Sequence, residues 1–134
     1  MERIKYIPGD WVSVYVGIKK YIVKVIGIKT ENEVFLYQIK FPNGEIQYAD
    51  KDNIVPIPLA PEILKENGWM KDKERSFKTQ LYYKKKFGVR IMFVIVREED
   101  SIVIYNEEQL RIIKYIHELQ HILFGLELNS DMNL

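Results

Sequence analysis

The chain has 134 residues, of which 47% are hydrophobic and 29% are charged, a composition typical of one globular domain or of two small ones. It contains no cysteine, which excludes disulfides and cysteine-ligated zinc sites, and its net charge of +1 gives no general attraction to nucleic acid. The first ten residues, MERIKYIPGD, lack the apolar segment of a secretory signal, and the longest apolar run, IMFVIV at 91–96, is too short to cross a bilayer. We therefore expect a soluble cytoplasmic protein.

The first half of the sequence predicts short strands. Apolar and polar residues alternate in WVSVYV (11–16), and three further strand-like runs follow, the last two joined by the turn signal Pro-Asn-Gly. Those runs are YIVKVIGI (21–28), VFLYQIKF (34–41) and EIQYA (45–49). With the final IVPIP, this order resembles Tudor-like and related SH3-like barrels. We predict an SH3-like small β-barrel over residues 1–58.

Residues 59–134 predict an α-β-β-β-α unit. Pro61 is suited to the first turn of a short helix that ends at Gly68. The runs 77–86, 87–96 and 101–105 then predict a three-stranded antiparallel sheet with turns near Phe87-Gly88 and at REED. Asn106 is a suitable N-cap, so a long C-terminal helix is expected from 107 to 124, packed across that sheet. The predicted class is α+β, and the connection IVPIPLAP is short enough for both parts to share one core.

The segment HELQH near the C-terminus fits the helical zinc signature H-E-x-x-H. His117 and His121 would bind the metal, Glu118 would activate water, and Glu127 would be the third ligand. A minimal zinc-dependent peptidase is therefore one hypothesis.

Two features argue against this zinc site. Phe124 occupies the position where such proteases place a helix-breaking glycine, and a helical wheel puts Glu118 in the middle of the solvated face. His117 then falls at the edge of the core and His121 at its polar boundary. We expect no catalytic residue, no metal and no other cofactor.

His117 and Gln120 share one helix face and form a second candidate site. At i and i+3, both side chains can bond backbone groups of the sheet or of Gly68-Trp69. The pair is then either a polar clip that fixes the helix or a binding site.

Two stretches, IVPIPLAPEILKENGW (54–69) and YIHELQHILFGLEL (115–128), resemble a group of uncharacterised small proteins carried by bacterial prophages and mobile elements. The group's pattern is close to I-x-P-I-P-L-t-x-E-x-L-x-x-x-G-F and, later, Y-V-H-x-L-Q-N-x-y-F-a-L. The resemblance implies an origin in mobile DNA and no known activity. The matching residues are Ile54, Pro56, Ile57, Pro58, Leu59, Glu62, Leu64 and Gly68, with Trp69 for the aromatic, and Tyr115, His117, Leu119, Gln120, Phe124 and Leu126.

The charge is unevenly distributed and gives a third candidate site. Residues 65–90 carry nine basic and three acidic side chains, whereas residues 97–134 carry three basic and eight acidic ones. In the basic stretch, lysines could neutralise phosphates and tyrosines could stack on bases, or the lysines could simply solvate a strand edge. The residues concerned are Lys84, Lys85, Lys86, Tyr82 and Tyr83.

These features together predict a non-catalytic accessory protein of phage or mobile-element type that binds another macromolecule, foremost a protein. Nucleic-acid binding through the barrel and the basic stretch 65–90 is the first alternative, and the zinc peptidase is the second. We expect no membrane association, and the sequence specifies no oligomeric state.

Overall fold

The computed structural model describes residues 5–72, 80–86, 89–132 and 134. The chain is mostly β in these ranges, and no helix within them combines the length and apolar character needed to span a membrane. A short 3₁₀ helix, Lys51–Asn53, follows the fourth strand. The strands are β1 (Trp11–Val16), β2 (Lys19–Glu31), β3 (Val34–Lys40), β4 (Ile46–Ala49), β5 (Ile54–Pro56), β6 (Met70–Lys71), β7 (Gln80–Lys86), β8 (Val89–Val96), β9 (Ser101–Tyr105) and β10 (Glu108–Ile113), and the helices are α1 (Pro61–Glu66) and α2 (Ile116–Gly125).

The chain divides into two compact units. The first unit comprises residues 5–57 with 116–132, and the second comprises residues 58–115. Each unit contains one five-stranded antiparallel sheet. The sequence predicts a C-terminal helix within the second part of the chain, whereas α2 belongs to the first unit.

The sheet of the first unit has the order β4-β3-β2-β1-β5. Apolar residues recur at every second position of β1 to β3. Because every second side chain of a strand points to the same side of the sheet, these residues form one buried inner face. That face forms a core of Tyr6, Val12, Val14, Val23, Val25, Tyr37, Ile39, Ala49 and Ile54. Over the described residues the sheet retains two edges, β4 and β5, and no closed barrel is found.

A bulge in β2 changes which residues face the core. Val25 pairs with Ile39 of β3, but Gly27 pairs with the next residue, Gln38, so Ile26 is the extra residue. A bulge shifts the alternation by one position. Beyond it, Ile28 lies opposite the buried Tyr37, and Lys29 faces the other side of the sheet.

The sheet of the second unit has the order β10-β9-β8-β7-β6. Its central strand β8 is paired on both sides, and the fully buried residues Tyr82, Met92, Val94 and Val103 lie on one face. The short helix begins at Pro61 as predicted and ends where Gly68 adopts a φ of +83°. Trp69 then donates its backbone N–H to Leu64, and both side chains are buried.

Two predictions for the end of the chain are wrong. The sheet has five strands instead of three, and the C-terminal helix begins at Ile116 instead of residue 107. Asn106 is not an N-cap: Asn106 and Glu107 have φ values of 52° and 66° and form the two-residue turn between β9 and β10. Two consecutive positive φ values define the type I′ hairpin turn, which asparagine tolerates well. The predicted turn at Phe87-Gly88 lies outside the described residues.

Candidate functional site

A tight turn before β1 holds a buried carboxylate. Pro8 and Gly9, whose φ is +100°, occupy the centre of the turn, and the Asp10 N–H donates to the Ile7 carbonyl at 3.1 Å. The Asp10 carboxylate accepts the Ile7 N–H at 3.0 Å and is 2% exposed. The turn is joined to β2 because the Gly9 N–H and the Asp10 carbonyl both bond to the backbone of Val25.

The carboxylate of Asp10 also contacts the second histidine of HELQH. Nε2 of His121 lies 2.6 Å from Oδ2 of Asp10. Because a carboxylate oxygen only accepts, the imidazole donates through Nε2. The side chain of His121 is 30% exposed, so part of its surface faces solvent. The sequence interpretation placed His121 at the surface but did not find this partner, which is 111 residues away in the chain.

Gln120 is the polar clip that the sequence offered as one of two interpretations. Its Oε1 accepts the Trp11 N–H at 3.0 Å, and its Nε2 donates to the carbonyls of Gly9 and Ser130 at 2.8 and 3.1 Å. The amide is 2% exposed. It therefore fixes α2 to the start of β1 and to the segment after the helix. The bonded backbone belongs to Gly9, Trp11 and Ser130, instead of the suggested Gly68-Trp69.

His117 is buried among aromatic rings. It is 4% exposed, and its ring packs edge-to-face on Tyr6 and on His121 with centroid distances of 5.0 and 5.5 Å. Burial lowers the pKa of His117 to about 4, the charges of His121 and Lys5 act in the same direction, and those of Asp10 and Glu118 oppose them. The imidazole is therefore neutral near pH 7.

The predicted zinc ligands do not fit a metal centre. Within the part of the chain that the structure describes, no group of three or more His, Asp or Glu side chains is arranged to hold a metal ion. Glu127 follows the end of α2 with a φ of +57°, and Nε2 of His121 is occupied by Asp10. The arrangement around α2 can position and stabilise the helix, but these residues supply no three-ligand site for metal-assisted hydrolysis.

The basic candidate site lies in the second unit. Tyr82 and Tyr83 are 0% and 6% exposed, so neither ring is open for stacking on a base. Lys84 lies over the ring of Trp69 at 5.7 Å, and burial lowers its pKa. The side chains of Lys85 and Lys86 lie outside the described residues.

Arg90 contacts Tyr83 and Asp72 next to the basic candidate site. Its guanidinium lies 3.9 Å from the centroid of Tyr83 and pairs with the buried carboxylate of Asp72 at 2.9 Å. Arg90 is thus held by a cation–π contact and an ion pair, which are contacts that stabilise the unit.

The first sheet also presents an exposed surface that the sequence interpretation missed. This outer face, opposite the core, follows from the strand register, in which directly paired residues lie on the same side. Four of its apolar side chains are between 43% and 50% exposed: Tyr15, Ile22, Ile46 and Tyr48. Four lysines share this side: Lys20, Lys24, Lys29 and Lys40.

The lysines of the outer face contact its aromatic rings. The Lys29 ammonium lies 5.1 Å from the ring centroid of Tyr48 and 3.9 Å from the Glu31 carboxylate, and Lys24 lies 6.0 Å from Trp11. The available sequence signal was the spacing of Lys20, Ile22 and Lys24 at every second position of a strand. The outer face is therefore a mixed surface, in which Lys24 and Lys40 lie in the row between Ile22 and Tyr48.

Comparisons of the chain with protein-family models, with curated proteins and with solved structures gave no match. The resemblance to proteins of prophages and mobile elements therefore stays a prediction.

Proposed function

We propose that this chain is a non-catalytic accessory protein, of the kind that phages and mobile elements carry, and that it binds a protein partner in the cytoplasm through the outer face. The observation that carries the proposal is the exposure of Ile22, Ile46 and Tyr48 beside lysines on one side of the first sheet. Exposed apolar side chains that adjoin one another with a polar rim are typical of interaction surfaces.

The energetics favour a protein over the solvent as the neighbour of this surface. Burying an isoleucine or a comparable side chain completely contributes about 1.5–3 kcal/mol, and Ile46 and Tyr48 each have half of that surface still exposed. A partner with apolar side chains would cover this surface, and its acidic side chains would face the lysines. Such charge complementarity contributes mainly to specificity and association rate.

Nucleic acid is the less suitable partner. Lysines would neutralise phosphates, but Ile22 and Ile46 have no π-surface for stacking on bases, and the tyrosines of the basic stretch are buried. Tyr15 and Tyr48 carry exposed rings that could stack on bases, but the aliphatic Ile22 and Ile46 would gain only from burial against a protein, which makes a protein the better partner. Nucleic-acid binding is kept as an outcome of the test below.

We also propose that the first sheet is a small SH3-like barrel. The strand order β5-β1-β2-β3-β4 and the 3₁₀ helix between β4 and β5 support this assignment. The single inner core of the sheet is consistent with it. Because one fold hosts many functions, the fold adds only a rigid support for the outer face.

The experiment is selection of a random dodecapeptide library on the immobilised protein, followed by affinity measurements on the enriched peptides. The double variant Ile46→Ser/Tyr48→Ser is expected to weaken these peptides by at least about tenfold, since it removes most of the apolar contact. The matched control is Leu110→Ser/Ile112→Ser on β10, where exposure is similar at 44% and 49%.

Three results would contradict the proposal. The selection could yield no peptide above background, or the enriched peptides could be unaffected by the Ile46→Ser/Tyr48→Ser variant. Alternatively, a labelled single-stranded oligonucleotide could bind with an affinity that falls steeply with salt and with Lys24→Ala/Lys40→Ala, which would assign the outer face to nucleic acid.

A further inference from the structure

We infer that the protein partner adds an extended segment as a new strand alongside β4, with two apolar side chains beside Ile46 and Tyr48 and a carboxylate facing Lys29. This inference rests on the proposed function and names its mode and the chemistry of the partner. Strand addition gives affinity through main-chain hydrogen bonds and specificity through every second side chain.

Among the strands that the structure describes, the two sheets have four edges, which differ in how they are protected. Natural edge strands are shielded by proline, by bulges, by charges or by being very short. The edge strand β5 contains Pro56, and β6 has two residues. The edge strand β10 has a bulge between Gln109 and Arg111 and carries charges on both sides of it.

The edge strand β4 has none of these devices except its shortness. Its sequence, Ile-Gln-Tyr-Ala, contains no charge and no proline, and its four residues pair with β3 in an uninterrupted register from Ile46↔Lys40 to Ala49↔Tyr37. The edge side of an antiparallel strand presents backbone N–H and C=O groups to whatever lies beside it. Of the four edges, β4 is thus the most suitable template for an added strand.

The side chains on β4 indicate which residues the partner's added strand would carry beside them. Ile46 and Tyr48 lie two positions apart on the outer face, each 50% exposed. An added strand would run about 4.8 Å away and place its own i and i+2 side chains within about 5.5 Å of them. Branched aliphatic residues at those two positions would bury the exposed halves of Ile46 and Tyr48.

The charge of the added segment follows from Lys29. This lysine is on β2, two strands from the edge, but its ammonium reaches the ring of Tyr48 at 5.1 Å. Lys40, directly opposite Ile46, adds a second positive charge on the same face. A carboxylate at the outer position next to the two apolar residues would meet these ammonium groups, whereas a cationic segment would be repelled.

The test uses a symmetric heptapeptide, so that either strand direction places the same groups on the outer face. The peptide Glu-Thr-Val-Thr-Val-Thr-Glu, blocked at both ends and labelled with fluorescein, has its valines and glutamates on one side of an extended chain. Fluorescence polarisation is expected to show saturable binding. The analogue with lysine in place of glutamate is expected to bind at least about tenfold more weakly.

Variants and backbone-modified peptides separate strand addition from side-chain docking. Lys29→Glu leaves one negative and one positive charge beside β4 and is expected to abolish the preference between the two peptides, while Lys65→Glu, an equal charge change at an exposed site of the second unit, leaves it unchanged. N-methylation of the two valines or of the three threonines blocks alternate N–H groups, so one of these analogues is expected to lose binding and the other to keep it. Amide exchange in 46–49 is expected to slow on saturation with the parent peptide.

Each failure has a distinct meaning. If the parent peptide does not bind, or if both N-methylated analogues bind as well as the parent and exchange in 46–49 is unchanged, strand addition at β4 is refuted. The library selection on the Ile46→Ser/Tyr48→Ser variant still decides the proposed function in that case. If both experiments fail, the outer face is not a protein-binding surface.

Discussion

The buried imidazole of His117 makes the stability of the protein depend on pH between 4 and 6.5. The ring is 4% exposed, and burial among Tyr6 and its neighbours lowers its pKa from 6.5 to about 4. In the unfolded chain the same ring is solvated, so its pKa returns to about 6.5. Between these two values, the unfolded state binds a proton that the folded state does not.

The sign and size of the effect follow from this proton. Because the unfolded state binds more protons, the free energy of unfolding falls as the pH falls. The contribution of neutral His117 is fully present above pH 6.5 and is lost progressively as the pH approaches 4. A difference of about 2.5 pKa units at 1.36 kcal/mol per unit gives a loss of about 3 kcal/mol.

The assay is urea denaturation of the wild type and of His117→Phe at pH 7, 6, 5 and 4. Phenylalanine keeps an aromatic ring against Tyr6 but cannot be protonated, so carboxylates and His121 contribute to both proteins and cancel in the comparison. The wild type is expected to lose about 3 kcal/mol more than the variant between pH 7 and pH 4. Equal losses in the two proteins, or a His117 NMR titration with its midpoint near 6.5, would refute the argument.

Three further predictions follow from the contacts. Gln120→Leu is expected to lower the free energy of unfolding by about 3 kcal/mol, since three part-buried backbone groups lose their partners at about 1 kcal/mol each. A loss below about 1 kcal/mol in urea denaturation would mean that the clip contributes little. Glu33→Gly and Glu107→Gly are each expected to raise stability by up to about 1 kcal/mol because glycine adopts positive φ without strain, and a lower thermal midpoint would contradict this. Trp11→Phe removes the 2.7 Å hydrogen bond from Nε1 to the Met132 carbonyl and is expected to lower the free energy of unfolding by about 1 kcal/mol. Amide exchange in 126–132 is expected to become faster, and unchanged exchange there would show that this bond does not hold the segment.

The strands of the first unit could be predicted because their alternation is local. Val12 and Val14 indicate the inner face of β1 in the sequence itself, and the structure buries both. The end of the chain was misread because its apolar residues fit two periods. Ile112, Ile113 and Ile116 lie on one side of a helical wheel, but the first two end a strand and the third begins α2.

A repeated dipeptide in the sequence indicates the hairpin turn between β9 and β10. Asn32-Glu33 and Asn106-Glu107 both form two-residue turns in which both residues have positive φ. The sequence analysis assigns Asn106 to a helix start, because asparagine serves both at N-caps and in the left-handed region. Strand-forming residues on both sides of the second pair distinguish the two cases.

At the candidate site, the sequence indicates which residues are buried but not which groups they bond. Gln120 and His117 could be singled out as polar residues on an apolar helix face, which predicts a bonded amide and a buried imidazole. The partners could not be found, because Gly9 and Trp11 are separated from Gln120 by 111 and 109 residues. Only the fold brings the turn before β1 to the helix, and the same holds for Asp10 and His121.

The bulge in β2 determines which side chains of that strand lie on the outer face. Simple alternation from Lys20, Ile22 and Lys24 would place residue 28 on the outer face and Lys29 against the core. The extra residue at Ile26 reverses this order, so that Ile28 faces the buried Tyr37 and Lys29 reaches Tyr48 near the β4 edge. Gly27 permits the close approach of Gln38 there, since a Cβ at this position would lie 2.9 Å from Oε1 of Gln38. The inserted residue therefore places Lys29 beside Tyr48, where its charge adds to that of Lys40 opposite Ile46; under the proposed strand addition, both charges favour an acidic segment over a basic one.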